Sequence, residues 1–233
     1  MALFSINQAH DRFKILYDKV DSFNSPEFTP EEIDEFLNIG QEELIRIVTL
    51  NGIEKSQEVA DYLKNITKTT IVNTFTANVD RGSPIINSFK VTLPSDYYTA
   101  LLEEASVSLP ECGVTVTKRL PVIPITRDRY NRIIKDPFNN PSTDTVIRLV
   151  SSEVTGADTF ELIVGAGYSL NEYYLDYIRR PLRIRYGTQY VTAPFVDQNC
   201  ELVDKAYYRV IDIAVDKALE AMRLKQIQPQ KQQ

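Results

Sequence analysis

Four arginines fall within the eleven residues DYIRRPLRIRY, Asp176 to Tyr186, of a chain that is otherwise acidic, with a formal net charge of −6. In an extended strand, Ile178, Arg180, Leu182, Ile184 and Tyr186 share one face. Arg179, Arg183 and Arg185 share the other with Pro181, so three guanidinium groups line up. Such a row can pair bidentately with carboxylates of a neighbouring protein, lie solvated on a sheet face, or hold phosphate. A duplex reader calls for further Lys/Arg clustering and a reading helix, neither of which is evident, and the acidic chain has no overall field to collect polyanions. Interface ion pairs are the favoured reading, and Arg179, Arg183 and Arg185 are candidate interface residues.

Other chemistry is sparse. His10 is the only histidine, so a zinc site built on several imidazoles is impossible, and a Ser-His-Asp arrangement would have to draw on the first helix. The phosphate-binding pattern G-x-x-x-x-G-K-[ST] is absent, and GAGYSL at Gly165 to Leu170 keeps only part of a dinucleotide pattern; a tight connection explains it better. Glu42-Glu43 and Glu103-Glu104 are adjacent pairs read on helices, where neighbours do not converge on one bond, so they are taken as solvated faces. Cys112 and Cys200 lie far apart and read as reduced thiols. Asn65-Ile66-Thr67 matches a glycosylation acceptor by chance, since MALFSINQAHDRFK does not read as a secretory leader and no apolar run suits a membrane span. The expectation is a soluble protein, not an enzyme, with no cofactor, no metal and no membrane partner.

The elements that must position these residues begin with two helices. Ser5 and Gln8 form a capping box ahead of Ile6, Ala9, Phe13, Leu16, Tyr17 and Val20. Thr29 as N-cap, Pro30 in the first turn and Glu31 and Glu32 near the positive helix end start a second helix. Its stripe is Ile33, Phe36, Leu37, Leu44, Ile47 and Val48, and Asn51-Gly52 ends it. A shorter helix is expected around Ser56 to Asn65. From Ile66 the period becomes two: TKTTIVNTFTANV and IINSFKVTL predict a hairpin across Asp80 to Pro84. LPSDYYTALLEEA reads as a capped short helix or turn, GVTVTKRL as a strand, and ITRDRYNRIIK as a short helix ending before Pro137. TVIRLV, FELIV and YYLDYIRRPLRIRY predict three more strands, the last broken or bulged at Pro181.

A long helix over roughly Glu201 to Lys225 follows. Val203, Tyr207, Val210, Ile211, Ala214, Ala218, Ala221 and Met222 share one side, and Leu202, Ala206 and Ile213 widen it to about half the circumference. That breadth predicts two packing neighbours, one of them a candidate second chain, with Val203, Tyr207, Ile211 and Met222 as candidate interface residues. The end, KQIQPQKQQ, is polar and is expected to be disordered alone.

Taken together and in order, FTPEEIDEFLNIGQEELI, VTLPSDYYTALLEEA, DPFNNP, YYLDYIRRPLRI and ELVDKAYYRVIDIAVDKALEAM resemble the head-to-tail adaptor or neck ring proteins of short-tailed and crAss-like bacteriophages. The likeness spans nearly the whole chain, through motifs that are each loose. It implies an α+β fold in which residues 1–65 and 200–225 form a helical bundle, 66–199 a β-rich insertion and 226–233 a flexible arm. It also implies a structural virion protein made in the host cytoplasm: a homo-oligomeric ring of twelve copies docked on the portal, in contact with downstream ring or tail proteins. Genomic DNA would pass through it without sequence-specific binding; the acidic balance would help it slide where it lines the channel, and the charge could equally lie on the outside. Another tail, ring or stopper component is the alternative, and a small cell-wall hydrolase a more distant one.

Overall fold

The computed structural model describes residues 5–20, 28–50, 61–77, 86–111, 113–136, 141, 144–152, 158–189 and 196–227. The fold is α+β, and the chain divides into two compact units, 1–66 with 181–233 and 67–180. Residues 181–189 and 196–199, which the sequence reading places with the insertion, thus group with the helices. The expected turn at Asp80 to Pro84, the helix end at Asn51-Gly52, Cys112, most of the loop after Asp136 and all of the arm beyond Ile227 lie outside the described residues.

The helical unit contains α1 (Ile6–Val20) and α2 (Pro30–Leu50). Both start as their caps dictate. Ser5 N–H donates to Gln8 Oε1 at 3.0 Å while Gln8 N–H reaches Ser5 Oγ, and Thr29 and Glu32 make the same reciprocal pair. Phe13, Tyr17, Phe28 and Phe36 form an aromatic cluster with centroids 4.9–6.3 Å apart, joining α1 to α2. Ile33, Leu37, Leu44 and Val48 of the expected stripe are buried, whereas Ile47 is exposed. Of the short helix expected at Ser56 to Asn65, residues 61–63 are helical and 56–60 lie outside the described set.

The β unit is one eight-stranded curled sheet in the order β1-β8-β4-β5-β6-β7-β3-β2. Its strands are β1 (Thr67–Val72), β2 (Thr76–Ala77), β3 (Ile86–Thr92), β4 (Tyr97–Glu111), β5 (Val114–Ile125), β6 (Val146–Ser152), β7 (Asp158–Gly165) and β8 (Ser169–Arg179). β5 is the corner. Val114 to Pro121 pair antiparallel with β4, then Val122 to Ile125 pair parallel with β6, so the sheet folds over a shared core. Val107, Leu120, Leu162, Val164, Tyr173 and Leu175 fill it. The helix α3 (Arg127–Lys135) packs Tyr130, Ile133 and Ile134 on a second, smaller cluster of Ile86, Ile147, Leu149 and Ile163.

Three sequence expectations change here. LPSDYYTALLEEA opens with the expected turn, Tyr97 N–H donating to Pro94 O at 3.0 Å, but from Tyr97 it is strand, not helix: β4 is paired on both sides, by β5 and β8, with three register shifts against β8. Strand period then separates the adjacent carboxylates. Glu103 turns inward, its side chain 7% exposed, while Glu104 pairs with Arg119 outside at 2.5 Å. Finally, the expected hairpin is divided, since β1 pairs with β8 and only Thr76-Ala77 pair with β3. The link GAGY is a tight turn: Tyr168 N–H donates to Gly165 O and Gly167 has φ 81°.

Inside the β unit, Arg148 Nε lies 3.3 Å from Glu103 Oε2. Tyr173 Oη donates to the same carboxylate at 2.7 Å, and the Arg148 guanidinium sits 4.2 Å over the Phe160 ring. Burial raises the Glu103 pKa, and Arg148 and Tyr173 oppose that shift.

Candidate assembly surface

The arginine segment crosses a boundary in the fold. β8 ends at Arg179, because Pro181 offers no N–H to a ladder. Arg180 closes the strand instead, its N–H donating to Asp96 O at 2.7 Å and its Nε to Tyr97 O at 3.2 Å. The expected row of three guanidiniums on one strand is therefore broken. Arg179 belongs to the β unit, whereas Arg183 and Arg185 belong to the helical one.

From Leu182 to Tyr186 the chain is held by the polar side of α2. Asp34, Asn38 and Gln41, at spacings i, i+4 and i+7, lie on one helical face and are all buried. Asn38 Oδ1 accepts from Ile184 N–H at 2.8 Å, and Asn38 Nδ2 donates to Ile184 O at 2.9 Å and to Asp34 O at 2.7 Å. Asp34 Oδ2 accepts from Tyr186 N–H at 2.7 Å, and Gln41 Nε2 donates to Leu182 O at 3.2 Å. The residue between these contacts turns the other way: Arg185 and Gln198 exchange both backbone hydrogen bonds, at 2.9 and 2.8 Å. A helix has no backbone groups to spare along its length, so these side chains stand in for a neighbouring strand.

His10 and Cys200 complete this arrangement. His10 Nε2 donates to Asp34 Oδ1 at 2.8 Å, with its ring edge-on to Tyr186 at 4.9 Å. Cys200 Sγ donates to Gln41 Oε1 at 3.2 Å, and burial pushes its thiol up to about 12. Both side chains are thus buried in a structural network. Asn65, the chance acceptor match, donates to Glu201 O at 3.1 Å.

The candidate interface residues are spread out. Arg183 is exposed and pairs with Glu35 of its own chain at 2.6 Å. Arg185 is half-buried; Arg179 is half-buried too, with Nη1 donating to Arg180 O. On α4 (Asp204–Ile227), Tyr207 and Ile211 are buried, Met222 is half-buried, and Val203 just before the helix is half-buried. α1 and α2 both pack on α4, so the wide stripe finds its two neighbours within the chain. At the α2–α4 crossing a Cβ on Gly40 would lie 2.5 Å from Val210 O, which fixes glycine there by close approach of two helices.

Two features escaped the sequence reading. Asp34, Asn38 and Gln41 carry a signal, three polar residues at helical spacing flanking an apolar stripe, but nothing local says what they bind. α3 holds four basic residues in nine, a concentration that its reading as a short helix does not bring out. Among the described residues no His/Cys/Asp/Glu cluster suits a metal ion, and no helix is long and apolar enough to cross a membrane.

The geometry is that of scaffold side chains spent on holding the fold, and similarity agrees. Residues 4–230 match the family described as phage tail ring protein 3/4. The chain belongs to that family. "Ring protein 4/5" of Bacteroides phage crAss001 is 22% identical over 228 residues, covering 93% of each chain. "Ring protein 3" of the same phage is 25% identical over 209 residues, covering 84% of this chain and 87% of the relative. This ring protein is thus a structural virion component of a crAss-like phage.

Proposed function

We propose that this ring protein is a head-to-tail adaptor: twelve copies form a ring that docks on the portal, continues the DNA channel and offers a platform to the next tail component. The observation that carries the reading is the end-to-end likeness to a protein named as a ring protein, 93% of each chain. The acidic balance suits a conduit, because a negative wall repels phosphates and leaves DNA free to slide. The protein works without catalysis in this reading, since His10 and Cys200 are committed to holding Tyr186 and Gln41 in place.

A second reading has one observation in its favour. The chain is about equally similar to two relatives named as different rings, which fits another ring or a stopper lower in the neck. Electron microscopy of the intact neck separates the two. A twelvefold ring of this chain seated directly on the portal is the expected result, and a ring separated from the portal by another protein overturns the adaptor role.

A further inference from the structure

The two units divide the chain's charge unevenly. Residues 1–66 and 181–233 carry 14 basic and 19 acidic side chains, whereas residues 67–180 carry 12 and 13. The near balance of the β unit hides a local concentration. In α3, Arg127, Arg129, Arg132 and Lys135 stand against Asp128 alone. The apolar side of α3 lies on its own sheet, and all four cations are exposed. Arg127 donates to Val150 O at 3.2 and 3.3 Å. Arg132 and Lys135 form no ion pair with any described residue.

The helical unit is the more acidic of the two, and although α4 mixes both signs, with Arg209 three residues before Asp212, it carries a pair of like charges. Asp212 and Asp216 of α4 lie on one exposed row, four residues or about 6 Å apart along the axis. Neither forms an ion pair with a described residue. Like charges one turn apart work against their own helix, so an opposite partner benefits both pairs. A closed ring needs two different patches on each copy, complementary to each other, because a single self-complementary patch ends at a dimer.

We propose that Arg132 and Lys135 on α3 of one copy pair with Asp212 and Asp216 on α4 of the next, a head-to-tail contact that sets the register of the ring. The inference rests on the ring reading and names the surfaces that close it. Charge complementarity identifies the occupant as a second copy: every chain brings both patches in equal number, and such charges choose partner and register more than they add affinity. Duplex DNA is the less favoured occupant, because α3 sits in a unit of net charge −1 that offers no wider basic field.

Carbodiimide treatment of intact particles tests this, since it joins lysine amines to carboxylates without a spacer. Covalent dimers of this chain should contain Lys135 linked to Asp212 or Asp216. Dimers linked only through other residues overturn this contact and leave the ring standing; no dimer of any kind overturns the ring reading, and this contact with it. Charge reversal is the second arm. R132E/K135E and D212K/D216K should each lower ring assembly at least tenfold while the circular dichroism of the parent is kept, and the chain carrying all four reversals should recover it. Failure of the fourfold variant to recover counts against the pairing. Micromolar binding of duplex DNA by the parent, falling steeply with salt and lost in R132E/K135E, would instead make α3 a phosphate site.

Discussion

In the β unit the backbone groups of β4 and β8 are paired with each other and with β5 and β1, and the charges drawn inside, Glu103 and Arg148, are paired across the core. In the helical unit the segment Leu182 to Tyr186 has Gln198 on one side only, and on the other Asp34, Asn38 and Gln41 supply what a strand would. The difference lies in where polar satisfaction is encoded. A ladder is made of backbone and survives most substitutions, whereas the side-chain version depends on specific residues, the three of α2 and Glu201, which accepts from Leu182 N–H at 2.7 Å. Each can be deleted singly. The same chain therefore has one unit tolerant of sequence change along its hydrogen bonds but sensitive at a charge pair, and another with the reverse pattern.

The largest effect should come from the charge pair. Arg148→Met keeps much of the aliphatic stem against Phe160 but leaves Glu103 buried without its opposite charge, with only the Tyr173 hydrogen bond, which should cost about 3–5 kcal/mol. Urea unfolding at neutral pH measures it, and a loss below about 1 kcal/mol would mean water already reaches the pair. Asn38→Ala should come next. It strips partners from both the N–H and the C=O of buried Ile184, at about 1–3 kcal/mol for the two together once water enters the space the amide leaves, and should expose the Leu182 to Tyr186 amides to hydrogen exchange before the β8 amides. Protection of the two segments falling together would break the contrast between the units.

How much of this was legible depends on how local each signal is. The starts of α1 and α2 were readable because caps act within four residues: Ser5 with Gln8, and Thr29 with Glu32. α3 ended at Lys135, just before Pro137, for an equally local reason. β4 was not readable, since TALLEEA has helical propensity and becomes strand only when β5 and β8 are both in place. The arginine row failed for the same cause in reverse. Alternation does not carry through Pro181, where the chain leaves one unit for the other. On α4 the breadth of the stripe was real, but a sequence cannot distinguish a neighbour in the same chain from one in another. α1 and α2 are those neighbours.

The smallest effect belongs to an exposed contact that ties the start of β4 to β1 and β8. Lys68 Nζ donates to Asp96 Oδ2 at 2.6 Å and Tyr177 Oη to Asp96 Oδ1 at 2.9 Å. The Lys68 hydrogen bond, aided by Tyr177 and opposed by partial burial, holds the Asp96 carboxyl below its ordinary value. Because the folded value is depressed, this stabilisation is present above the unfolded carboxylate pKa of about 3.9 and is lost as pH falls through the lower folded one. On the alkaline side, burial and Asp96 push Tyr177 up to about 12, so its contribution is present below the unfolded phenol value of about 10 and is lost as pH rises through about 12. Lys68 is half exposed, which screens the pair, so Lys68→Met should cost less than about 1 kcal/mol at neutral pH. It should also return the Asp96 carboxyl towards its ordinary value in an NMR titration. The stability difference between parent and variant should shrink to nothing once Asp96 is protonated in both. A difference that persists or grows at pH 2 would show that Lys68 acts through packing of its stem, and that the β unit's tolerance at its edge has another origin than a weak, solvent-screened ion pair.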